Sequence, residues 1–236
     1  MTTTPSPATP TRRRVLAGLA GVAGLPLAGP LFARAAEPPV LIAQAVCTVI
    51  PQATEGPFYF DPALERADIR EDRAGVPLAL AMQVVGVDCR PLPGVRVDVW
   101  HCDATGAYSG YRGQGDGRTS TEGATFLRGT QFADGGGVAR FQTIYPGWYR
   151  GRTTHIHFKV FLADDTLVTA QAYFPDALSD RIYAEAAPYD RRAAGRDTWN
   201  ANDGVLARSG AGDESVYALA EASGGYEASL VVGVAG

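Results

Sequence analysis

The chain has 236 residues, with 21 basic and 25 acidic side chains, three histidines and three cysteines. Four of the arginines (12, 13, 14 and 34) fall in an N-terminal stretch without acids, so the remaining ~200 residues, enough for one well-buried domain, carry 17 basic against 25 acidic groups. An acid excess of that size argues against nucleic acid and anionic membrane as partners of the mature domain.

In chain order, the first feature is a leader. Thr11 to Leu16 reads TRRRVL, an uncharged Gly- and Ala-rich stretch follows from Val15 to Ala33, and Ala33-Arg34-Ala35 supplies an A-x-A site. Residues 1–36 therefore read as a twin-arginine signal peptide, which predicts export to the periplasm or beyond. Glycines and prolines within the stretch (Gly18, Gly21, Gly24, Pro26, Gly29, Pro30) make it a poor spanning helix. Residues 37–236 then form the functional domain.

The mature segment reads as β. Short alternating or β-branched runs occur at Ala81–Asp88, Val95–His101, Val138–Ile144, His155–Leu162, Leu167–Tyr173 and Tyr226–Val234, separated by Gly, Pro and Asp turns. That pattern predicts an all-β, Ig-like or transthyretin-like sandwich with long loops. One short helix is expected at Ala177–Ala187, stopped by Pro188, with Arg181, Glu185 and Asp190 on a solvated face. In an exported protein disulfides form. Cys89 and Cys102 fall at opposite ends of a predicted hairpin, so the favoured bridge is Cys47 to Cys102, with three buried thiols as the alternative.

The stretch Tyr145 to His157, YPGWYRGRTTHIH, carries the chemistry. On a strand, His155 and His157 point to one face with backbones about 6.6 Å apart, so both imidazoles can reach one metal ion. Tyr149 lies six residues upstream, Arg152 sits in a loop tightened by Gly147 and Gly151, and a second tyrosine, Tyr108, occurs in DATGAYSGY. Two histidines and two tyrosines without a neighbouring carboxylate or thiolate suit a hard, high-valent ion better than zinc. A phenol, with a free pKa of about 10, ionises at neutral pH only beside a strong positive charge. Two phenolates would neutralise most of the charge of Fe(III), which makes Fe(3+) the expected cofactor.

These pieces, with TEGPFYF (Thr54 to Phe60), VRVDVWHCDATGAYSGY (Val95 to Tyr111), FLRGTQFADGGGVARFQTIYPGWY (Phe126 to Tyr149), RTTHIHFKV (Arg152 to Val160) and AQAYF (Ala170 to Phe174), resemble the intradiol ring-cleavage dioxygenases. The resemblance implies iron ligands Tyr108, Tyr149, His155 and His157, with Tyr149 the ligand that leaves when substrate chelates. It implies that Arg152 stabilises negative charge developing on the substrate and that Gln171 holds Arg152. The implied reactants are a catechol-type small molecule and O2, and the implied product is a muconate-type diacid. Family members are often oligomeric, so a homo-oligomer is allowed. The resemblance departs at one place: the loop from Tyr149 to Arg152 is much shorter than in catechol and protocatechuate enzymes, and this leaves the particular catechol open.

Two other readings stand beside it. A zinc hydrolase would use His155, His157 and His101, although the alternation in VRVDVWH favours a scaffold role for His101. A noncatalytic sandwich module would keep the four side chains and bind a partner or an aromatic ligand. Tyr59, Tyr111, Tyr145 and Trp148 are candidate core or pocket-wall aromatics, with Trp148 the one expected nearest substrate.

Overall fold

The computed structural model describes residues 48–115 and 117–235. The leader at 1–36 and Cys47 lie outside the described residues. Among the described residues, eight strands form two four-stranded sheets: β1 (Pro77–Val85), β2 (Arg96–Trp100), β3 (Arg128–Phe132), β4 (Val138–Ile144), β5 (His155–Leu162), β6 (Asp165–Tyr173), β7 (Ala218–Ala222) and β8 (Gly225–Gly233). One sheet has the order β4-β1-β8-β7 and the other β3-β2-β5-β6. All neighbours are antiparallel except β1 and β8, which run parallel from Leu78↔Tyr226 to Val85↔Gly233.

The expected β-sandwich is therefore present, and alternation explains its core. Leu78, Leu80, Met82 and Val84 of β1 are buried on one face, and Ile156, Phe158 and Val160 of β5 are wholly buried in the same cluster. Each such aliphatic or aromatic side chain contributes about 1.5–3 kcal/mol relative to exposure. The opposite face of β5 carries His155 and His157, which β2 and β6 flank through the pairs Trp100↔His157 and Gln171↔His157. Both histidines are also buried, because loops cover that face. Gly56 passes so close that a Cβ there would meet the His157 ring at 3.4 Å.

Three expectations need correction. The helical content is larger than one helix: α1 (Asp176–Glu185) matches the expected segment, but α2 (Gly204–Ser209) and 3-10 turns at Tyr189–Gly195, Asn200–Asn202 and Asp213–Ser215 are present too. Two strands, β3 and β7, lacked an apolar alternation that would reveal them. The favoured Cys47 to Cys102 bridge does not form. Cys89, in the exposed turn after β1, is disulfide-bonded, while Cys102 is a free, buried thiol. Cys102 Sγ instead donates to Gly147 O at 3.4 Å, which ties the Tyr108 loop to the segment before Tyr149.

Candidate metal centre

Tyr108 is delivered by a tight loop that follows β2. The Asp103 carboxylate accepts from Thr105 N, Thr105 Oγ1 and Ala107 N at 2.7–3.1 Å, an Asx-type turn. Gly106 completes it at φ +80, where a Cβ would also strike Trp148 O at 2.4 Å. Gly147 presses equally close to the same loop: a Cβ there would lie 2.5 Å from Asp103 O. The absence of side chains at both positions lets the two backbones meet, and that contact sets Tyr149 beside Tyr108. On the far side, buried Arg128 donates from Nε to Ser109 Oγ at 2.8 Å and from Nη2 to Ser109 O at 2.9 Å, under the Phe60 ring. Burial pulls its pKa down to about 10, so it remains cationic at neutral pH.

Four side chains converge. Tyr108 Oη is 3.4 Å from Tyr149 Oη and 3.4 Å from His155 Nε2, Tyr149 Oη is 3.2 Å from His155 Nε2, and His155 Nε2 is 3.1 Å from His157 Nε2. Tyr108 Oη, Tyr149 Oη and His155 Nε2 thus form a triangle with edges of 3.2–3.4 Å, and His157 Nε2 adjoins it 3.1 Å from His155 Nε2, spacings close enough for these donor atoms to share one ion. The carbonyl of Thr153 can only accept, so its 2.7 Å contact fixes the proton of His155 on Nδ1 and leaves the Nε2 lone pair facing the centre. His157 stacks on Trp100 at 4.9 Å and 12°, and its buried Nδ1 has no hydrogen-bond partner among the described residues.

Electrostatics point the same way. Burial, helped by Arg152, holds His155 well below the usual imidazole range; burial and the neighbouring His155 do the same to His157. Both rings are neutral bases at pH 7. Burial, reinforced by Tyr149, pushes the Tyr108 phenol well above its ordinary value, and burial pushes Tyr149 to about 12 against the pull of Arg152. Two buried phenols against two neutral imidazoles lose their protons only to a strong positive charge at the point they share. The donor set fits a hard metal ion.

Arg152 stands over this cluster with Nη1 3.4 Å from Tyr149 Oη and 3.3 Å from His155 Nε2. Its Nη2 donates to Gln171 Oε1, and Gln171 Nε2 donates to Thr54 O at 2.8 Å, which anchors the TEGPF loop across β6. All six residues expected at the site are thus in one place. Asp203 was missed; it accepts from Arg152 Nε at 2.9 Å. The only sequence signal for it was an Asp ahead of a short helical run, and that signal names a helix cap rather than a partner of Arg152.

The remaining candidates take structural positions. His101 is buried with Nδ1 2.8 Å from Cys102 O and Nε2 2.7 Å from Thr143 Oγ1, so neither nitrogen is free for a metal. Among the described residues no three His, Cys, Asp or Glu side chains group as a metal site, and the three-histidine zinc arrangement is not formed. Trp148 belongs to the main core beneath Arg192 and against Gly195 rather than to the cluster. Tyr145 Oη bonds Ser179 Oγ at 2.7 Å, Tyr111 Oη donates to Tyr59 O, and Tyr59 donates to Asp98 at 2.9 Å. Phe58 stacks on Tyr108 with ring centroids 4.7 Å apart.

A family profile described as Dioxygenase matches residues 54–191, a span that includes the whole four-residue cluster with Arg152 and Gln171. The chain belongs to the intradiol ring-cleavage dioxygenase family. It is 32% identical over 138 residues to a chlorocatechol 1,2-dioxygenase of Cupriavidus pinatubonensis, covering 52% of this chain and 53% of that protein. To a catechol 1,2-dioxygenase of a Pseudomonas strain it is 32% identical over 104 residues, 42% of this chain and 32% of the other. The chain thus spans about a third to a half of the length of these curated relatives. Among solved structures, an intradiol ring-cleavage dioxygenase from Tetranychus urticae superposes with a TM-score of 0.72 at 29% identity, over 80% of this chain and 95% of that one. The dioxygenase domain of a carbohydrate-binding fusion from Streptomyces sp. SirexAA-E gives 0.59 at 27% identity, over 80% and 99%.

Proposed function

We propose that this protein is a non-haem Fe(III) dioxygenase that cleaves a catechol-type ring between its two hydroxyl-bearing carbons, placing both atoms of O2 in a muconate-type dicarboxylic acid. The observation that carries the reading is the convergence of two phenol oxygens and two imidazole nitrogens at 3.1–3.4 Å beside a partly buried guanidinium. Tyr108, Tyr149, His155 and His157 would hold the ion, which when bound supplies Lewis acidity that lowers the pKa values of a chelating diol.

The chain's own residues do the rest. Tyr149 is half-buried whereas Tyr108 is fully buried, so Tyr149 is the phenol with room to swing away and Tyr108 the one that stays. Tyr149 Oη would accept a substrate hydroxyl proton, because burial raises its phenol pKa to about 12 against the pull of Arg152 and so favours the protonated form at this position. Arg152 presents Nη1 to the same place and stabilises negative charge that develops as the ring is attacked, with Gln171 and Asp203 preventing its withdrawal. Phe58 and the loops over β5 exclude water from the buried nitrogens.

The leader at residues 1–36 supports export by the twin-arginine route, with action in the periplasm or outside the cell on a small diffusible catechol. Oxygen uptake with a panel of substituted catechols, run under 18O2, tests the reaction. The iron-loaded protein is expected to consume one O2 per catechol and to place both labelled atoms in a ring-opened diacid. Binding of catechols without oxygen uptake would make the protein a ligand-binding sandwich instead.

A further inference from the structure

We propose that Asp203 is a positioning residue for Arg152, holding the guanidinium at the metal centre from a segment that lies beyond the family match at residues 54–191. The inference rests on the functional reading above and concerns how its charge-stabilising arm is kept in place. Asp203 is 1% exposed, and both of its carboxylate oxygens are fully used. Oδ1 accepts from Val205 N at 2.7 Å and Leu206 N at 2.9 Å, the cap of α2. Oδ2 accepts from Arg152 Nε at 2.9 Å and Thr153 N at 2.8 Å.

A guanidinium is planar and rigid, so tethering two of its nitrogens fixes the third. Asp203 takes Nε and Gln171 takes Nη2, which leaves Nη1 aimed at Tyr149 Oη and His155 Nε2. With Gln171 alone, the group could pivot about a single contact. The same segment straps the short turn that carries Arg152: Gly151 N donates to Asp197 Oδ1 at 3.0 Å, and Thr153 Oγ1 to Asn200 Oδ1 at 2.8 Å. The loop from Tyr149 to Arg152 is thus held by residues 197–203 rather than by its own length.

Two variants separate positioning from capping. Asp203→Ser keeps a side-chain oxygen for the helix cap but is too short to reach Arg152. Asp203→Asn keeps the shape and the cap while losing the charge and one acceptor. Each is made in the full-length protein and loaded with iron, and both visible spectrum and kinetics are recorded. Iron content is expected to match the parent, and kcat for catechol to fall ~10–100-fold, the usual cost of removing a residue that orients a metal site's surroundings. KM is expected to change by less than about threefold. The phenolate-to-iron band is expected to move, because the charge nearest Tyr149 is no longer fixed. Should Asp203→Ser not fold, the same pattern is required of Asp203→Asn. Variants with the parent's kcat per iron and the parent's band, but a lower melting temperature, would reduce Asp203 to a helix cap and overturn the proposal. A parent without a phenolate-to-iron band would overturn the functional reading itself, and this inference with it.

Discussion

Tyr108→Phe is expected to remove the visible absorption of the iron-loaded protein and to abolish oxygen uptake with catechols. The substitution deletes one oxygen and little else. The ring that stacks on Phe58 at 4.7 Å is retained, and among the described residues the hydroxyl's hydrogen-bond contacts are with Tyr149 Oη and His155 Nε2. Fold and loop position should therefore survive, which near-parent thermal unfolding would verify. Loss of activity should exceed the roughly 10–100-fold typical of residues one step removed from a metal, since Tyr108 is assigned to the ion directly and is the phenolate expected to stay bound during turnover. A Phe variant that kept the colour and more than about a tenth of the parent's kcat would remove Tyr108 from the ligand set.

Arg152→Ala is expected to leave iron content unchanged and to lower kcat by ~100–1,000-fold, the effect of losing one donor aimed at developing negative charge. Stability should fall as well. Asp203 loses the partner of its wholly buried carboxylate, a change that costs about 3–5 kcal/mol when a buried pair is broken; the lower end applies because Thr153 N and the two cap donors remain. The pH dependence has a definite sign. Burial raises the Asp203 pKa, but the Leu206 N–H, Arg152 and the Thr153 N–H together bring it below the ordinary carboxylate value. A depressed folded-state pKa gives stability that is present above the unfolded value of about 4 and is lost as pH falls through the lower folded value. The stability gap between parent and Arg152→Ala should accordingly be full at neutral pH and narrow below about pH 4. Equal turnover in the two proteins would show that the guanidinium takes no part in the reaction.

Much of this architecture was readable from local pattern. The alternation in VARFQTI and HIHFKVFL marks β4 and β5 with the ends they have in the structure, and it places both histidines on the face away from the core. What escaped was set by distant contacts. β3, RGTQF, is polar with a glycine and becomes a strand only because β2 pairs with it. β7, ALAEA, has the composition of a helix and is held in the sheet as an edge by β8. Cys102 was assigned to a bridge by comparing hairpin ends, yet its burial and its contact with Gly147 O are tertiary facts. Asp203 lies 51 residues from Arg152, and nothing near it announces the pairing. The cluster itself was legible because His-X-His on a strand brings two ligands together by geometry alone, and the two tyrosines sit in turns whose glycines permit the close approach of their loops.

The central claim, one ferric ion shared by Tyr108, Tyr149, His155 and His157, is tested most directly by metal analysis and a visible spectrum of the purified, metal-loaded protein. One iron per chain with a broad band in the visible, giving a burgundy solution that loses its colour in Tyr108→Phe, is the predicted result. A fully loaded protein that is colourless, or that holds zinc in place of iron, would contradict it.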